Sequence, residues 1–94
     1  MITINNQDRI ILNQELLQSE IDGETIMMSI DNGKYYGLNT VASRIWEIIK
    51  DEPLFAEVVE KLTVEYDIDK NQCEIETKSF LLKLLENKLI KLGE

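Results

Sequence analysis

The sequence contains no histidine and only one cysteine, Cys73. Without histidine it lacks the usual general base, the residue that activates a catalytic serine or cysteine, and the commonest metal ligand. A single cysteine can form neither an internal disulfide nor a zinc site, so Cys73 is expected to be a buried apolar thiol. No glycine-rich phosphate loop is present. We therefore expect a chain that is not an enzyme and that holds no metal or other cofactor.

Long apolar runs and an excess of basic residues are also missing. No apolar run approaches the roughly 18 residues that a membrane helix needs, and the opening residues "MITINNQDRIILNQ" match neither a signal peptide nor a transit peptide. These features predict a cytoplasmic chain with no membrane partner. Ten basic residues face eighteen acidic ones, for a formal net charge of -8. Such a charge repels phosphate backbones, which argues against nucleic acid as a partner.

The chain of 94 residues has room for one domain, spanning residues 1–94. Two dipeptides typical of hairpin turns, Asp22-Gly23 and Asn32-Gly33, divide its first part into three predicted strands at about 15–21, 25–31 and 34–38. The second strand alternates Ile26, Met28 and Ile30 with a mixed set of residues, so one of its faces is apolar, as suits a sheet packed on one side. The segment "RIIL" at 9–12 reads as a further extended piece without an assigned partner.

Three helices are predicted after the strands. Asn39 is a candidate N-cap for "TVASRIWEIIK", whose apolar stripe comprises Val41, Ile45, Ile48 and Ile49. Pro53 favours the first turn of a second helix, "LFAEVVEKLTVEY". Asp69 followed by Gln72 resembles a capping box that opens a last helix at about 71–90.

The last predicted helix is broader in its apolar stripe than one contact surface needs, because Leu82 and Leu89 widen it. It is also neutral: residues 71–94 hold four acidic and four basic side chains, whereas residues 1–70 hold fourteen and six. Strands followed by three helices predict an α+β fold of winged helix-turn-helix type, with a three-stranded antiparallel meander. Reading DNA with the last helix is disfavoured, since its start carries Glu74 and Glu76 and no arginine follows Arg44.

A meander of this kind leaves the third strand, residues 34–38, at an edge of the sheet with unpaired backbone groups. In one interpretation Tyr36 and Leu38 face the core, and Tyr35 is an ordinary, partly exposed aromatic residue. In the other, the edge stays open so that an extended peptide adds a further strand, with the last helix as a wall for its side chains. The residues alone leave both interpretations open.

The ordered set "GKYYGLNTVASRIWEII", "EKLTVEYDID" and "FLLKLLENKLI" resembles the PqqD family, over about Ile21 to Leu92. The doubled tyrosine and the absence of a fused enzyme domain look most like the stand-alone members of lasso-peptide gene clusters. The resemblance implies a RiPP recognition element, a module that binds the leader segment of a ribosomally made precursor peptide. It also implies delivery of that leader to a cysteine peptidase of transglutaminase-like fold, with a lasso cyclase closing the ring later.

In that family the leader adds to the third strand and lies in a groove bounded by the third helix. Carried onto this chain, the resemblance implies a peptide-binding site made of Lys34, Tyr35, Tyr36, Gly37, Leu38, Cys73, Glu76, Thr77, Phe80 and Leu81. Where family members often have Asp-Val before the Phe-Leu pair, this chain has Glu76-Thr77, which keeps the acid but replaces an apolar contact by a hydroxyl.

Other functions stay open at this point. The edge strand could pair with itself across a two-fold axis, or the chain could dock permanently on an enzyme of the radical-SAM kind. A DNA-binding regulator and an unrecognised enzyme are the remaining alternatives.

Overall fold

The computed structural model describes residues 3–13, 16–30 and 33–93. The elements follow in the order β1 (Arg9–Leu12), β2 (Leu16–Ile21), β3 (Glu24–Ser29), β4 (Tyr35–Gly37), α1 (Thr40–Ile49), α2 (Phe55–Glu65), α3 (Lys70–Glu86) and β5 (Ile90–Gly93). The predicted α+β class, with antiparallel strands followed by three helices, is confirmed. Predictions that fall on Glu15, Asp31 and Asn32 lie outside the described residues.

Strands β2, β3 and β4 form the predicted antiparallel meander in that order. Asp22 and Gly23 have φ angles of 53° and 82°, which confirms the tight turn between β2 and β3. Gly33 has a φ of 68°. Strand β4 is shorter than the predicted 34–38, although the Leu38 N–H still donates to the Thr25 carbonyl at 2.8 Å.

The sheet packs on one side, but through the mixed face of β3 and not through its apolar face. Thr25, Met27 and Ser29 are buried, whereas Ile26 and Met28 are only half-buried. Thr25 and Ser29 are small, so they leave room for α1, which contacts β3. The more apolar face of the strand therefore points away from the core.

A second, two-stranded sheet was missed as such from the sequence. The segment predicted only as extended is β1, and it pairs antiparallel with β5 in the register Ile10↔Leu92. The chain just before β1 also caps α2, because the Asp8 carbonyl accepts from Phe55 N–H at 2.8 Å and the Asn6 carbonyl accepts from Ala56 N–H at 3.2 Å.

The end of α3 corrects the predicted helix at 71–90. Lys88 has a φ of 61°, and the N–H groups of Lys88 and Leu89 donate back to the carbonyls of Leu85 and Leu84. This is the hydrogen-bond pattern of a Schellman motif, which stops the helix. Leu89 therefore does not widen the helix stripe; it is buried in the core beside the start of β5.

The helix starts follow the predicted caps in part. Asn39 Oδ1 accepts from Ala42 N–H at 2.8 Å, and Asp69 Oδ2 accepts from Gln72 N–H at 3.1 Å. The Gln72 side chain donates to Glu76 instead of completing a capping box. Pro53 lies before the Leu54 N-cap, outside the first turn of α2.

The helices close one core under the sheet. Trp46 is its largest member, 1% exposed, and its Nε1–H donates to Gln18 Oε1 of β2 at 2.9 Å. The predicted stripe of α1 is confirmed for Ile45, Ile48 and Ile49 but wrong for Val41, which is 48% exposed. Among the described residues, no helix is both long and apolar enough to cross a bilayer.

Ser43 ties α1 to strand β3 and to Leu38, the residue that follows β4. Its buried hydroxyl accepts from Thr25 N–H at 2.8 Å and donates to the Leu38 carbonyl at 3.1 Å. Replacing Ser43 with alanine leaves both backbone groups without this partner, so we expect the free energy of unfolding to fall by about 1–3 kcal/mol. Urea unfolding measures the change, with Ser79→Ala on the exposed face of α3 as the control. Equal stability of the two variants would contradict the role assigned to the hydroxyl.

Candidate peptide-binding site

Strand β4 forms an edge of the three-stranded sheet, and no described strand pairs with its outer side. Ser29 N–H donates to the Lys34 carbonyl and Leu38 N–H to the Thr25 carbonyl. Because hydrogen-bonding directions alternate along an antiparallel strand, the backbone groups of Tyr35 and Gly37 point away from β3. The edge therefore offers two N–H and two C=O groups to an added strand.

The two tyrosines of β4 point to opposite faces of the sheet. Tyr36 pairs with buried Met27 and packs against the core, and its hydroxyl donates to Asn87 Oδ1 at 3.4 Å. Tyr35 pairs with Met28 and is 73% exposed. The inward placement of Tyr36 and Leu38 matches the first interpretation of the strand. The edge is nevertheless open, as the second interpretation requires, and the addition of a peptide there stays a prediction.

An apolar groove of about 310 Å³ opens where β4 leads into α1. The start of α1, the end of α2 and the N-terminal half of α3 enclose it. Tyr36 on the inner face of β4 reaches Asn87, the C-cap of α3, so α3 joins the groove at its N-terminal half to β4 at its C-terminal end. The lining residues are Asn39, Val41, Ala42, Ile45, Leu62, Tyr66, Ile68, Cys73, Glu76, Thr77 and Phe80.

The groove brings together four of the five predicted residues of α3, namely Cys73, Glu76, Thr77 and Phe80. Leu81 does not lie there: it is 0% exposed and belongs to the core. Thr77 is buried, with Oγ1 3.8 Å from Cys73 Sγ, so the hydroxyl has a partner inside the helix. Whether each of these residues contacts a peptide stays a prediction.

Sequence reasoning missed the part of the lining that comes from α1 and from the end of α2. The sequence pattern places Val41 on the buried stripe of α1 and Ala42 beside that stripe, and it places Ile68 in a break between helices. Val41 lies in the first turn after Asn39, and the helical periodicity gives no sign that it is exposed. Only the packing of α1 and α3 against α2 shows that these residues face a groove.

The groove carries little charge. Among its described lining residues, Glu76 has the one carboxylate, which accepts from Gln72 Nε2 at 3.0 Å, and none is basic. Such a surface suits an apolar side chain, with a hydrogen-bond donor or a positive charge tolerated at the rim near Glu76.

An ion pair holds α1 against α2 beside the groove. Arg44 donates to both oxygens of Glu65, at 2.7 and 2.6 Å. This hydrogen bond lowers the pKa of the Glu65 carboxyl and raises the pKa of Arg44. Since the carboxyl pKa is lowered, any stabilisation is present above the ordinary pKa of glutamate and is lost as the pH falls through the lowered value. The pair is solvent-exposed, so its contribution is small.

A wider depression of about 730 Å³ follows another face of α3. All of its lining residues, from Asn71 to Glu86, belong to that one helix. No second element encloses it, so it lacks the walls that orient a ligand, and the smaller groove is the better site despite its volume.

The outer face of the three-stranded sheet is a second unusual surface. Leu17 is 54% exposed and lies in one cross-strand row with Met28 and Tyr35. Ile26 lies beside this row, and Ile21 and Ile30 are also exposed. We call the surface formed by Leu17, Ile21, Ile26, Met28, Ile30 and Tyr35 the outer apolar face. Clusters of this kind mark interaction surfaces more often than isolated exposed residues do.

Fold and site together define a small winged helix-turn-helix-like α+β domain with an open strand edge beside an apolar groove. The sequence profile of the family described as Coenzyme PQQ synthesis protein D (PqqD) matches residues 24–90. The chain belongs to the PqqD family, and the resemblance found in the sequence is confirmed.

Two solved structures are similar to most of the chain. TbiB1 in complex with the TbiA(beta) leader peptide is 27% identical with a TM-score of 0.81, and the match covers 86% of this chain and 94% of that chain. Lasso peptide synthetase B1 complexed with the leader peptide is 24% identical with a TM-score of 0.78, over 87% and 96% of the two chains. Among curated proteins, none matches the sequence significantly.

Proposed function

We propose that the chain binds the leader segment of a ribosomally synthesised precursor peptide and presents it to a modifying enzyme. The leader adds as an antiparallel or parallel strand to β4. The observation that carries this proposal is the open edge of β4 next to an apolar groove, in a fold shared with two proteins that were solved with leader peptides.

The backbone of the edge supplies affinity that does not depend on the leader's sequence. The N–H and C=O groups of Tyr35 and Gly37 are available to an added strand, and each backbone hydrogen bond adds a modest net stabilisation. Side chains on alternate leader positions then point to opposite faces of the extended sheet. One set points toward α3 and the groove, and the other set joins the outer apolar face.

The groove supplies the selective part of the interaction. Its lining includes the apolar side chains of Ile45, Leu62 and Phe80, so a large apolar leader side chain gains the most by entering it. Glu76 at the rim favours a leader that carries lysine or arginine nearby, and the net charge of -8 helps such a leader to approach.

The role in biosynthesis is delivery of the leader and not catalysis. The absence of histidine from the sequence supports a binding module over an enzyme. By its resemblance to stand-alone lasso members, we propose that the recipient is a cysteine leader peptidase of transglutaminase-like fold, with a lasso cyclase acting afterwards. Precursor peptides are made on cytoplasmic ribosomes, so this encounter would take place in the cytoplasm.

The outer apolar face supports the idea of a macromolecular recipient. It lies on the side of the sheet away from the core, so it stays accessible when a leader occupies the edge and the groove. A bound leader would extend this face by its own outward side chains, so an enzyme could dock on protein and peptide together.

An NMR titration of the 15N-labelled chain with the leader of the precursor encoded beside its gene tests the proposal. We expect amide shifts concentrated at residues 34–38 and along 73–84, with a dissociation constant in the micromolar range or below. A scrambled peptide of the same composition is the control. The proposal fails if millimolar leader leaves these amides unchanged.

Tyr35 offers a mutational test. We expect Tyr35→Ala to weaken leader binding by roughly 1–3 kcal/mol, as for an aromatic residue at an interface, without lowering the melting temperature, because the side chain is exposed. Val64→Ala on α2 is a matched control, since Val64 is 82% exposed and lies away from the edge. Isothermal titration calorimetry measures both. Unchanged affinity would make Tyr35 an ordinary surface residue.

A second candidate function is self-association or permanent docking through β4, supported by the exposed Leu17 and Tyr35 on the outer apolar face. Sedimentation velocity separates the two functions. A monomer that binds leader supports the recognition module, whereas a dimer that ignores leader supports the structural one.

A further inference from the structure

The fold itself does not explain why residue 37 of β4 is a glycine. Its φ lies outside the left-handed region, since the glycines with positive φ among the described residues are Gly23 and Gly33. A Cβ added at Gly37 would have no heavy atom within 4 Å beyond its chain neighbours. Glycine weakens a strand relative to alanine, so neither backbone conformation nor crowding inside this chain calls for it here. A glycine in such a strand often marks the place where a ligand approaches closely.

Because Gly37 has no side chain, it leaves a gap in the outer apolar face, which we call the notch. Gly37 pairs with Ile26, which pairs in turn with Ser19, and Tyr35 lies two residues away on the same face. Its backbone points to the open edge. A strand added to β4 therefore places one residue directly beside Gly37, with a Cβ about 5 Å away from the Cα it faces.

We propose that this notch receives a large apolar side chain of the leader, and an aromatic ring by preference. The inference rests on the proposed function and adds a second specificity-determining position on the sheet side opposite to the groove. Adjacent strands lie about 4.8 Å apart, so a ring on the leader can lie over the bare Cα of Gly37 and reach Ile26. Packing an aromatic residue across a strand glycine is a known way to stabilise a sheet edge.

The chemistry around the notch defines the class of side chain. Ile26 lies directly across from Gly37 on the neighbouring strand and Tyr35 lies two residues before it on the same face, and neither side chain carries a charge. A small leader residue would leave Ile26 exposed, and a charged one would lose hydration against it. Phenylalanine, tyrosine, tryptophan, leucine or methionine at this leader position would fill it, with the aromatic residues burying the most area.

A double-mutant cycle between Gly37→Ala and an alanine scan of the leader tests the inference. The probe is the synthetic leader of the precursor encoded beside the gene, and calorimetry gives the affinities. We expect Gly37→Ala to weaken binding about tenfold or more, because the added methyl holds the ring away from Ile26. Its melting temperature should stay equal or rise. Ser19→Thr, which adds a methyl in the same cross-strand row at the opposite edge, should leave the affinity unchanged.

The binding free energy should show coupling between Gly37 and one leader position that carries a large apolar side chain. When that position is alanine, Gly37→Ala should no longer weaken binding, while alanine at other leader positions should preserve the tenfold loss. If the unchanged protein and the Gly37→Ala variant bind the leader equally well, the proposal about the notch is wrong and the proposed function stands. A loss that couples to no leader side chain also overturns the notch. No binding by the unchanged protein overturns both.

Discussion

Replacing Ala42 with phenylalanine is expected to reduce leader binding by at least about 30-fold, or roughly 2 kcal/mol, while the chain keeps its fold. Ala42 is half-buried in the first turn of α1 and lines the apolar groove, whose volume is about 310 Å³. A benzyl group projecting from this position occupies space that the leader side chain would otherwise enter. The groove opens to solvent, so the ring has somewhere to go without displacing the core.

The Ala42→Phe variant blocks the groove without removing a side chain that the leader could contact, so it tests for steric exclusion alone. Truncating Phe80 would also weaken binding, but this side chain packs against the core, so its removal would change stability as well. Ala56→Phe is the matched control, because Ala56 is a half-buried alanine on α2 and lines a different depression. Calorimetry gives the affinity, and thermal unfolding verifies that both variants are folded. If Ala42→Phe binds leader as well as Ala56→Phe does, the groove is not the leader site.

Replacing Trp46 with alanine is expected to lower the free energy of unfolding by about 3–5 kcal/mol. Trp46 is 1% exposed at the centre of the core and joins α1 to the sheet. Its loss leaves a large cavity, and the Gln18 amide loses the indole N–H that it accepts at 2.9 Å. Small domains have a total stability of about 5–15 kcal/mol, so the variant would be close to unfolding at physiological temperature.

Gln18→Ala separates the hydrogen bond from the packing of the indole ring. It removes the acceptor of the indole N–H but leaves the ring in place, so we expect a decrease of about 1–2 kcal/mol, well below that of Trp46→Ala. Urea unfolding followed by circular dichroism measures both variants. If the two decreases were equal, the ring would contribute little by packing, and the placement of Trp46 as the centre of the core would be wrong.

The structure brings the residues of the predicted site together where their placement depends on local patterns. The turn at Asp22-Gly23 and the tyrosine pair could be read from short stretches of sequence, and together they predict an open edge at β4. The helical spacing of Cys73, Thr77 and Phe80 places them on one side of α3, and the structure brings them into one groove. Leu81 shares that spacing, yet it lies in the core, because periodicity does not say which flank of a wide stripe faces inward.

The remaining errors concern contacts between distant segments. The last helix was predicted to continue to residue 90, the first residue of β5, because no glycine or proline marks the stop at Lys88. The pairing of β5 with β1 joins residues about 80 positions apart, such as Ile10 and Leu92, and no local pattern encodes such a partner. The caps that residues 6–8 provide for α2 are equally non-local.

By itself, the sequence determined the class of fold, the order of the strands in the meander and the position of its open edge, because turn dipeptides and side-chain periodicities act over a few residues. It also determined the acidic charge and the absence of histidine. Only the tertiary structure decided which face of the sheet is buried. Both faces of β3 carry apolar residues, and the choice depends on how closely α1 can approach Thr25 and Ser29. As a result, Ile26 and Tyr35 lie around Gly37 on the face of the sheet away from the core, and the open edge borders the outer apolar face as well as the groove side.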